Sequence, residues 1–320
     1  MKIGLDVMGG DFAPASTIAG AVLALNELSA DDQIVLFGNR ESILSELARH
    51  NTNPEKFVIV HTSEVIGMGE HPTHAIIRKP DSSISIGFNY LKNKKIDSFS
   101  SAGSSGAMLV GAIYSVNNIQ GVIRPCTFAV LPQESAGLSL LVDVGTNPDA
   151  KPDVMYQFAL LGSITAKSVY KIDNPRVALL NIGHEEGKGN LLSQATFQLM
   201  KDSKDFNFTG NIESRDLLRN KADVIVCDGF TGNVILKNME GMFRLMMKRG
   251  LMDDYFARFN YENYGGTPIL GINSTVVVGH GISNDIAIKN MLLLARDVNQ
   301  AKLSQKIKRA LARVSVVVRD

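Results

Sequence analysis

The chain has 320 residues and a net charge of +1, with 45% hydrophobic and 20% charged residues. Those values describe an ordinary folded protein of about one to two domains of ~150 residues each, long enough to bury a full core without staples. They exclude a strongly basic nucleic-acid binder, and two distant cysteines, Cys126 and Cys227, exclude a cysteine-ligated zinc module and suit a reducing, cytoplasmic compartment.

The chain opens Met1-Lys2-Ile3-Gly4 and runs straight into an apolar stretch, so no signal peptide is expected. No run approaches the ~20 apolar residues that span a bilayer. Short apolar runs predict strands at Lys2–Val7, Gln33–Gly38, Phe57–Val60 and Asp97–Ser101. Later runs predict Thr127–Leu131, Leu138–Asp143, Val177–Ile182, Ala222–Cys227 and Thr275–Gly279. Most are separated by segments with helical spacing, such as Ile18-Ala21-Val22-Leu25. Near-continuous apolar strands such as Val276-Val277-Val278 indicate burial on both faces, hence a largely parallel sheet between helix layers. Only Thr127–Leu131 and Leu138–Asp143, joined by a short turn, read as an antiparallel hairpin. With no repeat and no linker, residues 1–320 read as a single α/β catalytic unit, a three-layer αβα arrangement.

One stretch breaks the alternation. Met239–Phe259 carries five of the 12 methionines, is divided by Gly250, and reads as a helical hairpin within 237–265. Three placements stay open for it: a dimer interface, a membrane-facing tip, or a pair packed into the core.

Ligands of open parallel sheets bind at the carboxyl ends of strands. Here the strand exits share a character: "DVMGGDFAP", "SSAGSSGAM", "LVDVGTNPD", "NIGHEEGKGN", "VCDGFTGN" and "VVVGHGISN". Each joins glycine with polar or charged residues, a composition that lets backbone N–H groups approach an anion. Lys188 stands near the start of the helix expected after Gly187, where it holds an anion or merely decorates a solvated helix start; Glu185 and Glu186 fix the lysine or cap that helix. No Walker loop, no dinucleotide fingerprint and no nucleophile elbow is present. His71 and His74 have H-x-x-H spacing but no cysteine partners, so no metal is expected, and Cys227 reads as a buried thiol.

Seven segments, "GLDVMGGDFAP", "IRKPDSSIS", "SAGSSGAM", "LVDVGTNPD", "NIGHEEGKGN", "CDGFTGNVILK" and "YGGTPILGINSTVVVGHGISN", together resemble the PlsX family of phosphate acyltransferases of bacterial phospholipid synthesis. The match runs from Gly4 to about Asn284. The resemblance implies fatty acyl transfer from acyl carrier protein to inorganic phosphate without a cofactor. It also implies a homodimer and a fold similar to phosphotransacetylases and isocitrate- or isopropylmalate-type dehydrogenases. Ser104-Ser105 departs from the Asn-Thr usual there, His184 falls at a variable position and is given no role, and the C-terminal "VSVVVRD" has no counterpart.

On that basis Lys188, with the backbone of Gly187 and Gly232, is expected to hold phosphate, and Ser104 and Ser105 are secondary contacts. Asn233 is expected to open a helix and donate to the carbonyl oxyanion, Asp228 to orient Lys188 or Asn233, and His280 to bind phosphate or protonate the leaving thiolate. Arg78, Lys79, Arg124, Arg244, Lys248 and Arg249 are candidates for docking the acidic carrier. Leu251, Met252 and Phe256 are candidates for dimer or membrane contact, which would place the protein in the cytoplasm or on the inner face of the membrane. The rival readings are a coenzyme A-dependent phosphotransacetylase, a decarboxylating dehydrogenase and a noncatalytic carrier- or membrane-binding scaffold.

Overall fold

The computed structural model describes residues 1–314. In chain order it has β1 (Lys2–Asp6), α1 (Ala15–Ala24), β2 (Gln33–Gly38), α2 (Arg40–Arg49), β3 (Phe57–His61), α3 (Pro72–Arg78), α4 (Ser83–Lys92), β4 (Ser98–Ser101) and α5 (Ser105–Val116). There follow β5 (Phe128–Pro132), β6 (Leu138–Val142), α6 (Pro152–Ser168), β7 (Arg176–Asn181), α7 (Leu191–Met200), β8 (Asn207–Glu213), β9 (Val224–Val226), α8 (Gly229–Lys248) and α9 (Asp254–Ala257). The last elements are β10 (Thr267–Pro268), β11 (Thr275–Val278), α10 (Asp285–Gln300) and α11 (Leu303–Leu311). All nine expected strands are present within a residue or two. Apolar runs could not show β8, whose sequence NFTGNIE is polar, or the two-residue β10.

Where the sequence reads as one unit with one sheet, the chain divides into two compact units, each with its own sheet. The first comprises Met1–Asn118 and Tyr261–Lys302; the second comprises Ile119–Asn260 and the chain from Leu303 onward. Alternating polarity along the chain reports strands and helices but not which strands share a sheet.

The first unit has strand order β10-β11-β4-β1-β2-β3, parallel except at β10. Its two-residue period sends side chains to opposite cores. Ile34 and Leu36 join Ile3, Leu5, Ile18 and Ile288 on one face. Val35 and Phe37 join Phe88, Phe99 and Met108 on the other. Each fully buried side chain of this kind contributes ~1.5–3 kcal/mol of transfer free energy. Burial on both faces is the reason these strands carry so little polar alternation.

The second unit has strand order β5-β6-β9-β7-β8, with only the β5–β6 hairpin antiparallel, as expected. Leu141, Ala178, Ile212, Ile225 and Cys227 form one core, against which Ile235 and Met239 of α8 lean. On α6 a Cβ at Gly162 would lie 2.6 Å from Val224 and 3.2 Å from Val142, so glycine there lets the helix lie close on β6 and β9.

The expected helical hairpin takes a different form. Its first arm, α8, begins at Gly229 and is 20 residues long. It stops in a Schellman motif: Leu251 N–H donates to Met246 O at 3.0 Å, Gly250 N–H to Met247 O at 3.1 Å, and Gly250 takes the left-handed conformation (φ +68°). The second arm is only the four-residue α9, capped by Asp253. Tyr255 and Arg258 then tie the chain to Pro132, Gln133 and Gly137 around the β5–β6 turn. Residues 261–265 of the expected hairpin belong to the first unit. Apart from Val314, the "VSVVVRD" tail lies outside the described residues.

Candidate active site

In the second unit β6, β9 and β7 are adjacent and parallel, so their exits open at one end of the sheet. Asp143, just past β6, organises the first exit. Its Oδ1 accepts from Thr127 N–H at 3.0 Å and Val144 N–H at 2.8 Å, and its Oδ2 from Asn147 N–H at 2.6 Å and Asn147 Nδ2 at 3.0 Å. Burial nevertheless pushes its carboxyl up from the ordinary value. Sequence reasoning quoted this segment but gave Asp143 no role.

The β9 exit packs directly on it. Asp143 N–H donates to Cys227 O at 3.0 Å, Gly145 N–H to Gly229 O at 2.9 Å, and Gly229 N–H to Asn147 O at 2.8 Å. A Cβ at Gly232 would lie 2.0 Å from Asp143 O, so this glycine serves the close approach of α8 to the neighbouring loop. Cys227 is buried, and burial pushes its thiol well up, as expected for a thiol that stays protonated.

Asp228 does not orient Lys188 or Asn233. It is the N-cap of α8: Oδ1 accepts from Thr231 N–H at 2.8 Å and Oδ2 from Thr231 Oγ1 at 2.8 Å. Asn233 therefore lies one turn inside the helix rather than opening it, exposed, with Oδ1 3.4 Å from where a Cβ at Gly145 would stand.

Lys188 lies in the turn before α7, not in its first turn. Asn190 caps the helix through Ser193 N–H at 2.8 Å, so neither glutamate does. Glu186 instead pairs with Lys201 at 2.9 Å and accepts from Gln198 at 2.7 Å; the Lys201 hydrogen bond holds its carboxyl below the usual range. Lys188 is exposed, and its ammonium has no hydrogen-bond or ion-pair partner among the described residues. Gly187 is also exposed. His184 reaches Asn211 O at 3.3 Å and both Glu213 and Asp216 at 3.4 Å.

The first unit gathers its own exits at β1, β4 and β11. Asp11 N–H donates to Gly281 O at 2.7 Å, and Gly279 N–H to Ser101 O at 2.8 Å. Beneath them Asp6, fully buried and also missed from sequence, accepts from Ser101 Oγ at 2.6 Å and Met8 N–H at 3.0 Å; burial raises its carboxyl. A Cβ at Gly9 would meet Asp6, Ser101 and Gly103 within 2.7 Å. Ser104 is buried and caps α5 through Ala107 N–H at 3.3 Å, while Ser105 is exposed. His280 packs edge-on against Tyr261, centroids 5.2 Å apart.

Of the docking candidates, Arg78 and Lys79 belong to the first unit, and Arg124, Arg244, Lys248 and Arg249 to the second. Lys79 is already engaged, pairing with Glu70 at 2.6 Å and donating to Val65 O at 2.8 Å. Arg124 donates to Asp149 O at 3.3 Å, and Arg244 lies 3.9 Å from Glu240. Arg78, Lys248 and Arg249 are exposed.

A family model described as fatty acid synthesis protein matches residues 1–306. The chain belongs to this family. The resemblance to PlsX proteins therefore holds over almost the whole length. Among relatives in the fatty acid synthesis protein family, the "Phosphate acyltransferase" of Syntrophomonas wolfei subsp. wolfei is 42% identical, covering 98% of this chain and 100% of its own. That of Dictyoglomus turgidum is 40% identical over 98% of this chain and 99% of its own. The fold is that of a phosphotransacetylase from Streptococcus pyogenes (TM-score 0.64, 16% identity, 93% of this chain and 94% of the other). A branched-chain phosphotransacylase from Enterococcus faecalis is similar (TM-score 0.62, 13% identity, 93% and 99%).

Proposed function

We propose that the chain transfers a fatty acyl group from an acyl carrier protein thioester to inorganic phosphate, releasing acyl phosphate and the carrier thiol. It is an acyltransferase acting on phosphate and an acyl donor, in line with the family it belongs to. The observation that carries the reading is Lys188. Its unpaired ammonium stands at the exit of β7, next to the strand whose exit leads to Asn233.

Phosphate at neutral pH is already an oxyanion nucleophile, and a thioester is a good electrophile. The site needs little base strength; it needs proximity and charge stabilisation. Lys188, with the backbone of Gly187, binds phosphate. Asn233 donates to the oxyanion that forms as phosphate oxygen attacks the carbonyl carbon; collapse of that intermediate breaks the C–S bond and expels the thiolate. Ser104, Ser105 and His280, at strand exits of the first unit, are separate secondary candidates for anion binding there. Asp143 and Asp228 are assigned a supporting part, since Asp143 binds the loop after β6 and Asp228 caps α8.

The exposed side of α8 favours a homodimer. Only Gly229 and Gly232 of its 20 residues are buried. Val234, Met242 and Leu245 share a face and are each about half exposed (51%, 50% and 49%). That exposure supports an interface over packing of the whole segment in the monomer core, although Ile235 and Met239 do lean on the core. Leu251, Met252 and Phe256 follow at its tip, beside Lys248 and Arg249. Among the described residues no helix is long and apolar enough to cross a membrane. A cytoplasmic enzyme resting on an anionic inner leaflet through this tip is the alternative use of the same surface.

The deciding assay supplies acyl carrier protein thioester and phosphate and traps acyl phosphate with hydroxylamine. Phosphate-dependent hydroxamate supports the proposal. Hydroxamate from acetyl-coenzyme A but not from palmitoyl carrier protein would replace it with the short-chain reaction. No phosphate-dependent thioester cleavage at all would leave a scaffold.

A further inference from the structure

We infer that Asn181, Asn211 and Gln194 are positioning residues for Lys188, acting as an amide clamp on the loop that carries it; the inference rests on the phosphate role of Lys188 proposed above. Residues 182–190 join β7 to α7 and contain no helix or strand. Four of their carbonyls are held by side-chain amides from three different elements. Asn181, the last residue of β7, donates from Nδ2 to Lys188 O at 3.0 Å. Asn211, in β8, donates from Nδ2 to Glu185 O at 2.9 Å. Gln194, in α7, donates from Nε2 to Gly187 O and Gly189 O, both at 3.0 Å.

The two asparagines are also bound to each other, Asn181 Nδ2 to Asn211 Oδ1 at 3.1 Å, and Asn181 Oδ1 accepts from Ile182 N–H at 2.9 Å. Lys188 N–H closes the turn on Glu185 O at 3.1 Å. Gly189 adopts φ +96°, and a Cβ there would stand 2.3 Å from Asn181 Oδ1, so the loop passes tightly over the asparagine.

Chemistry restricts who can do this. A primary amide donates two hydrogens and accepts through its oxygen, so it can bridge two carbonyls or link a carbonyl to a second amide. An aspartate accepts only, and an aliphatic residue does neither. Both asparagines are 9% exposed, whereas Glu185, Glu186, Gly187 and Lys188 all face solvent. Spending three side chains on this loop's carbonyls fixes the backbone directly beneath Lys188 while its ammonium stays unengaged. A lysine otherwise carries much rotamer entropy into any contact it makes, and a fixed root limits how far its head wanders. A misplacement of about 1 Å at a reacting group can cost on the order of a hundredfold in rate.

The test is a double-mutant cycle in the trapping assay, with Asn211→Ala, Asn181→Ala and Gln194→Met, each alone and with Lys188→Ala. Gln194 is exposed, so Gln194→Met removes the donor with little demand on folding. Each single change is expected to lower kcat/KM for phosphate by about tenfold, with the KM for the thioester donor within twofold of wild type. In the Lys188→Ala background the same change is expected to cost less than twofold, because the residue acts through a lysine no longer there. Equal losses in both backgrounds, or a Gln194→Met enzyme indistinguishable from wild type, overturn the clamp and leave the phosphate role of Lys188 standing. A Lys188→Ala enzyme that keeps its activity overturns that role instead. Faster amide hydrogen exchange at 183–189 in Gln194→Met is expected, and unchanged exchange counts against the clamp.

Discussion

Lys188 and Asn233 carry separable predictions because the proposal assigns them to different species. Lys188 is assigned to phosphate, an anion already in the ground state. Lys188→Ala is expected to lower acyl phosphate formation by more than about tenfold while the thermal transition stays in place, since the side chain is exposed and unpaired. Activity within twofold of wild type removes it from the mechanism. Asn233 is assigned to charge that exists only as the carbonyl is attacked. Asn233→Ala is therefore expected to reduce kcat by on the order of 10²-fold, the loss typical of one oxyanion donor. A rise in KM at constant kcat contradicts that role. Asp228 is a helix cap by its geometry, each carboxylate oxygen accepting one hydrogen bond from Thr231.

At the scale of elements, α8 has two ends with different duties. Its first turn is pressed against the loop after β6, and Gly232→Ala would drive a methyl into Asp143 O, a backbone atom that cannot swing aside. A loss of about 1–3 kcal/mol is expected, read as a lower thermal transition, together with reduced turnover because Asn233 is the next residue. Further along, Val234, Met242 and Leu245 present apolar side chains to solvent. Met242→Asp combined with Leu245→Asp is expected to shift the protein from dimer to monomer by sedimentation velocity, with secondary structure intact. A wild-type protein that is already monomeric, or a double variant that remains dimeric, rejects α8 as the interface. Recovery of wild type with anionic vesicles on flotation, lost in the double variant, would assign the face to lipid.

For the whole molecule, carrier recognition is expected to depend on local basic patches rather than on a global field, since net charge is only +1 and Arg78, Lys248 and Arg249 are exposed. The KM for acyl carrier protein should rise steeply between about 50 and 300 mM salt, whereas the KM for phosphate should move little. A flat profile for the carrier rejects electrostatic docking. How much of this was legible in the sequence follows the reach of each signal. Val276-Val277-Val278 and Ile34 to Phe37 announce buried parallel strands because burial on both faces leaves a local mark. The glycine-rich exits were visible because close backbone approach demands glycine. Asn211 was invisible: it sits in β8, whose polar sequence has no strand signal, and its partner Asn181 is 30 residues away. The split into two sheets was hidden for the same reason, as pairing partners are set by tertiary contact. Lys188 was picked out from the charge at its strand exit and Asn233 with the resemblance, while the capping geometry of Asp228 was hidden because a helix cap and an orienting carboxylate look identical in one dimension.

The first unit is assembled from two distant stretches of chain, and that has a bearing on its birth. β4 lies between β1 and β11, yet β11 is synthesised more than 170 residues after it. A ribosome that has emitted only the first 118 residues has made strands whose central edge is bare and whose apolar face still awaits Ile288, Met291 and Leu292 of α10. The nascent segment must wait, sticky and incomplete, while the whole of the other unit is translated. This protein is thus one in which assembly cannot simply follow the order of synthesis, and in which a holdase near the exit tunnel has a surface to guard.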